Sequence, residues 1–214
     1  MHPLYKTLAD SIAWTGDTRT DMVALLTVHR CPGTREHSLE VADEALRLAD
    51  RYGVDRRRAE EGALLHDVSA VWRSDVRLEV ARALGVDILP EEAQAPMILH
   101  QKLSAVIARE LFGVTDEQVL GAIACHTTLK HGATTLEKVV FLADKIAWDQ
   151  PGKPPYLDGL LAAMDTSLDA AVLHYLQYLW DRRDALLVVH PWFVEAYEEL
   201  SETQRAARAG QTQS

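Results

Sequence analysis

Cysteine is nearly absent: Cys31 and Cys125 are the two in 214 residues, and they form no CxxC pair. Two are too few for a disulfide framework, so a reduced, cytoplasmic setting is the expectation. Long apolar runs are missing as well. No stretch approaches the roughly 18 uncharged apolar residues of a membrane-spanning helix. Met1–Ser11 has no apolar core of signal-peptide type, and no membrane partner is expected. Positive charge is in deficit, with 22 lysines and arginines against 32 acidic residues and a net charge of −10. That excludes a nucleic-acid binder living on phosphate contacts. An acidic chain that handles phosphates needs a local positive device: a helix N-terminus, a few placed bases or a metal. Internal repeats and low-complexity tracts are also missing. Leu186–His190 is the one short β-like run, and it has no partner strand.

What remains is ordinary globular composition, 48% hydrophobic and 25% charged. A chain of this length buries roughly two-thirds of its unfolded surface and needs no staple to fold. Its periodicity is helical nearly throughout. Leu39, Ala42, Leu46 and Ala49 follow the i, i+3/i+4, i+7 template, and Gly53 stands where a C′ glycine belongs. Asp55 caps a helix through Ala59, Ala63 and Leu64, and the run Leu103–Phe112 ends at Gly113. Thr115 with Gln118, and Thr134 with Glu137, have capping-box spacing ahead of two further apolar helices. Helices are also expected over Met22–His29, Val76–Leu84, Leu157–Met164, Leu168–Trp180 and Pro191–Leu200. Cys31–Pro32–Gly33 and the QPGKPP run Gln150–Pro155 read as breaks. The fold class is all-α in a single domain, with residues 203–214 a polar tail expected to fray.

The nine histidines are a mild excess, and their placement matters more than their number. His37, His66, His100 and His126 each sit within or at the end of an apolar helical segment. Asp67 and Asp144 share that setting. A buried carboxylate without a cation, a metal or several donors is costly. Two such aspartates beside four inward-leaning histidines would satisfy one another through a divalent metal. Such mixed ligands suit iron, manganese, zinc or cobalt better than calcium. A single histidine on an apolar helix is more often a hydrogen-bonded core residue than a ligand. His29, His174 and, on this ground alone, His190 are therefore assigned to structure or surface. Weight comes from the ordered set: histidine, His–Asp, two more histidines, then aspartate, each on its own helix.

That order, His37…His66–Asp67…Asp144, resembles the signature of the HD-domain superfamily of metal-dependent phosphohydrolases. Thr34–Val41 (TREHSLEV), Ala63–Asp67 (ALLHD), Leu99–His100, His126–Thr128 (HTT) and Leu136–Ile146 (LEKVVFLADKI) look like its YqeK-type branch. Members of that branch cleave diadenosine tetraphosphate symmetrically to two ADP. The resemblance runs from about Arg35 to His190 and implies an HD-type helical bundle over residues 31–202, with residues 1–30 a helical extension packed on it. It further implies one or two divalent ions, iron ahead of manganese or magnesium, held by His37, His66, Asp67, His100, His126 and Asp144. Asp67, His100 and His126 would carry the catalysis. His100, His126, Thr127, Lys145 and His190 would bind a nucleotide substrate; the late His190–Pro191 resembles that of the branch near its nucleotide. A homodimer is open.

Two features depart from the branch. Its arginine three residues before the first histidine is replaced by Thr34, with Arg35 one step later, and its Glu–Pro–x–Arg after the last aspartate reads Ala147–Trp148–Asp149–Gln150. Lys130, His131, Lys145 and Lys153 are the candidates for replacement positive charge. The altered segment keeps two alternatives in view: another nucleotide substrate, such as a nucleoside monophosphate or cyclic nucleotide, and a non-catalytic nucleotide-binding helical module. Because His174 lies outside the ordered set, His174→Ala is expected to leave turnover within about twofold of wild type in a steady-state assay. A large loss there would show that the set is misplaced.

Overall fold

The structure is a computed structural model and describes residues 1–148 and 150–211. Among the described residues there are twelve α-helices and no strand. They are α1 (Pro3–Ala9), α2 (Thr18–Val28), α3 (Pro32–Tyr52), α4 (Arg56–Leu65), α5 (Arg77–Ala83), α6 (Pro90–Gln94), α7 (His100–Glu110), α8 (Glu117–Cys125), α9 (Thr135–Ile146), α10 (Leu157–Ala163), α11 (Leu168–Trp180) and α12 (Pro191–Gln211). Short 3₁₀ turns at Val68–Val71 and Pro96–Leu99 lead out of α4 and into α7.

The ends of the helices have chemical causes. The chain does break between Val28 and Pro32, and Pro32 then opens α3 at a position whose N–H needs no partner. Asp55 accepts from the Arg58 N–H, as its position suggested. Thr134 and Glu137 form a reciprocal capping box at 3.2 Å and 2.7 Å. Thr115 does not cap α8; the neighbouring Asp116 does, accepting from the Gln118 N–H at 3.0 Å. A carboxylate one residue later is the stronger cap, and it also pairs with Arg58 at 2.8 Å. α3 ends on Gly53 at φ +70°, the left-handed conformation that glycine adopts without a steric penalty. α12 continues past Thr203 to Gln211, so the polar tail is helical where fraying was expected. Residues 212–214, and Asp149 of the altered segment, lie outside the described residues.

Helices α3, α4, α7, α8 and α9 pack on one another around Leu48, Leu64, Leu65, Leu103, Ile107, Ile123 and Phe141, all essentially fully buried. α2 covers α3 and α4, while α11 lies against α9 and carries α10 and α12. The inner face of α4 is small: Ala59, Gly62 and Ala63. A Cβ at Gly62 would stand 3.2 Å from Val140 Cγ2 and 3.8 Å from Ala122 Cβ. Glycine here lets α4 approach both α8 and α9, which brings its C-terminus among theirs. No helix among the described residues is long and apolar enough to cross a membrane.

The capping box anchors the start of α9, whose last turn carries Asp144. Thr134→Ala is expected to cost about 1 kcal/mol of stability, lowering Tm by roughly 2–4 °C in a melt followed by circular dichroism. Thr134→Ser should recover most of the loss.

Candidate metal centre

Five helices deliver six side chains to one place. His37 projects from α3 and Asp144 from the end of α9; His66 and Asp67 follow the last turn of α4; His100 opens α7, and His126 follows α8. The imidazoles form a row in edge contact. Ring centroids are 5.2 Å apart for His37–His66, 4.7 Å for His66–His126 and 4.9 Å for His100–His126. Asp144 stands at one end, its Oδ1 3.0 Å from His37 Nε2 and 3.7 Å from His66 Nε2. Asp67 serves the other, its Oδ1 3.4 Å from His100 Nε2 and 3.5 Å from His126 Nε2. Three overlapping trios could each hold a metal ion: His37, His66 and Asp67; His66, His126 and Asp144; and Asp67, His100 and His126.

Backbone carbonyls set the tautomers. The Nδ1–H groups of His66, His100 and His126 donate to the carbonyl three residues earlier: Ala63 at 2.6 Å, Met97 at 2.5 Å and Ile123 at 2.8 Å. With Nδ1 committed as donor, Nε2 of a neutral ring carries only a lone pair. Two such lone pairs, on His100 and His126, face each other at 3.0 Å. His66 Nε2 is buried and has no hydrogen-bond partner among the described residues. Lone pairs converging in a buried space repel unless a cation lies between them. The donor set therefore fits a divalent ion.

Burial pushes the His100 imidazole down to about 4, against the pull of Asp67, so it is neutral at pH 7. His66 is likewise pushed down by burial. Burial would raise both carboxyls, yet their neighbours win. As His66 and His100 gain their protons at low pH they hold Asp67 below the usual carboxylate range, and the Lys145 ammonium, followed by the His37 hydrogen bond, does the same for Asp144. Both aspartates enter neutral solution ionised.

Of the residues proposed to face substrate, Thr127 and Lys145 are at the cluster. Thr127 Oγ1 lies 2.9 Å from His100 Nε2, and Lys145 Nζ 2.5 Å from Asp144 Oδ2. His190 is buried, with Nε2 3.3 Å from Glu92 Oε1 and Nδ1 accepting from the Trp192 N–H. His174 packs over Gly159, where a Cβ would meet its ring at 2.3 Å. Lys130 is paired with Glu137 at 2.7 Å, His131 lies 3.4 Å from Glu199, and Lys153 binds Asp158. Arg35 is engaged by Thr27 and Glu36. Sequence reading missed two neighbours of the cluster. Gln101 accepts from the Thr127 N–H at 3.1 Å and ties the start of α7 to the end of α8; its place directly after His100 was the available signal. Arg77 donates from Nη1 to the same Met97 carbonyl that holds His100, and no motif marks it. Beside His37, an open cavity of about 430 Å³ is walled by Glu36, Glu40 and Trp148.

A protein-family model described as HD domain matches residues 34–149, more than half of the chain and all six clustered residues. The chain belongs to the HD-domain family. It is 41% identical over 167 residues to an uncharacterised protein from the pepC 5′ region of Lactococcus lactis subsp. cremoris, covering 74% of this chain and 85% of that one. It is 35% identical over 141 residues to a symmetrical bis(5′-nucleosyl)-tetraphosphatase of Staphylococcus aureus, covering 64% and 70%. A crystal structure from Clostridium acetobutylicum, described as that of a predicted HD superfamily hydrolase involved in NAD metabolism, superposes with a TM-score of 0.78 at 27% identity. It covers 90% of this chain and 100% of that one. The protein is thus an HD-superfamily hydrolase, of a domain type that binds divalent metals. Asp144→Ala is expected to lower the metal content of the purified HD-domain protein by more than about tenfold while leaving its helical content unchanged. Full metal retention by that variant would remove Asp144 from the ligand set.

Proposed function

We propose that this HD-domain hydrolase is a metal-dependent phosphohydrolase that cleaves a nucleotide phosphoanhydride, and that its reaction is the symmetrical hydrolysis of diadenosine tetraphosphate to two ADP. The observation that carries the first part is the convergence of imidazole lone pairs and two ionised carboxylates in one buried space. Support for the second part comes from relatives named as symmetrical tetraphosphatases. His37, His66, Asp67 and Asp144 would hold a first ion. His100 and His126 could serve a second ion or touch the phosphates directly. Their geometry favours the ion, since an Nε2 bearing a lone pair has no hydrogen to offer a phosphate oxygen. The donor set suits iron, manganese, zinc or cobalt, and it is the family resemblance that puts iron ahead of manganese or magnesium.

When bound, a divalent ion supplies the positive charge that polarises a phosphoryl oxygen and makes water acidic near neutral pH. The chain's own groups do the rest. Asp67, whose Oδ1 lies 3.4 Å and 3.5 Å from His100 and His126, would by its position be the group that takes up the proton of the attacking water. Lys145 occupies Asp144 Oδ2 and so leaves Oδ1 to the imidazoles. Thr127 Oγ1 lies against His100, and the cavity beside His37 is large enough for a nucleoside. The absence of an arginine in the segment around Gln150 favours, as a second reading, another nucleotide such as a monophosphate or cyclic nucleotide.

The test is metal analysis of the purified protein, followed by incubation with diadenosine tetraphosphate and chromatography of the products. ADP as the sole product is the expected result, abolished by chelator and restored by the metal found. Equimolar ATP and AMP, or turnover of monophosphates alone, would overturn the symmetrical assignment. At a net charge of −10, metal removal should also weaken nucleotide binding, measured by calorimetry.

A further inference from the structure

Four of the five bases first in line to replace the missing arginines are committed elsewhere. Arg35, Lys130, His131 and Lys153 all lie against carboxylates outside the cluster, and the fifth, Lys145, is bound to Asp144. Arg77 differs. It is half-buried at the first position of α5, and its Nη1 donates to the Met97 carbonyl at 3.2 Å. Its Nε is buried with no hydrogen-bond partner among the described residues. The carboxylate whose charge it feels is Asp67, and its own charge acts on His100. A partly buried guanidinium is costly to keep without an anion. Here it is pinned beside the cluster by the same carbonyl that orients His100, with fork donors still to be used.

We infer that Arg77 is the phosphate-recognising cation of this chain, placing its guanidinium against the phosphoryl oxygens of the substrate on the His100 side of the cluster. The inference rests on the phosphohydrolase reading and names the group that compensates for Thr34 and Gln150. Arginine suits the task because its planar fork meets two oxygens at once and keeps its charge at any working pH. α5 itself carries none of the six clustered residues, so phosphate recognition there can be tested apart from metal retention.

The test uses inorganic pyrophosphate as the probe, titrated into the metal-loaded full-length protein by calorimetry, with KM and kcat for diadenosine tetraphosphate measured alongside. Arg77→Gln should weaken pyrophosphate binding by about ten- to a hundredfold and raise KM similarly, with metal content unchanged. Should that variant fail to fold, Arg77→Lys decides: it keeps the charge without the fork and should bind pyrophosphate several-fold more weakly than wild type. Wild-type affinity in the folded Gln variant, or in the Lys variant where Gln does not fold, overturns the inference. So does a wild-type protein that does not bind pyrophosphate, or a Gln variant that loses its metal in parallel. If wild type binds pyrophosphate through Arg77 yet leaves the dinucleotide intact, the substrate assignment fails while the phosphate site stands.

Discussion

Everything in this molecule is arranged around the cost of burying two ionised carboxylates and four imidazoles among apolar helices. Asp144 stays charged against burial because the Lys145 ammonium lies on it, and Asp67 because the imidazoles around it take up protons before it does. His66 and His100 stay neutral because burial prevents them from accepting protons. Those two facts pull together: ionised acids and unprotonated imidazoles are the states in which both residue types donate lone pairs. The missing term is a cation. A divalent ion would complete that set of donors, which links metal and chemistry in one space.

The scaffold's contribution is to remove freedom from that space. Gly62 lets α4 press against α8 and α9, and the capping box at Thr134 fixes where α9 begins. Gln101 ties the start of α7 to the chain leaving α8. Each constraint acts on backbone, some distance from the imidazole or carboxylate it positions. The site is held by helix ends and not by loops, which places ring nitrogens within about 3–4 Å of carboxylate oxygens.

Much of this was legible in the residue order. Histidine on an apolar helical face is ambiguous alone, but four histidines and two aspartates in this order on five helices are not, and all six come together. Caps at Asp55 and Thr134 were legible because a short polar side chain next to an apolar periodic run has few other uses. Asp116 was missed in favour of Thr115 because adjacent residues both offer capping oxygens, and only the backbone's turn decides between them. The polar stretch after Thr203 lacked an apolar stripe, so its helix was invisible to periodicity. The partner of His190, Glu92, stands 98 positions away in the chain, and no spacing rule reaches across that distance. Arg77 could not be found by motif at all; its meaning lies in a carbonyl it shares with a residue 23 positions later.

One consequence follows from where the imidazole N–H groups point. Ala63 and Ile123 belong to the closing turns of α4 and α8, where the peptide dipoles leave a partial negative charge of about half a unit. His66 and His126 receive that charge at Nδ1 and, being conjugated rings, pass it on to Nε2. Both helices therefore act as electrical extensions of the ligand set, making the nitrogens more basic without adding another acid. The pole they create is cation-seeking through peptide geometry alone, and it would persist after replacement of either aspartate.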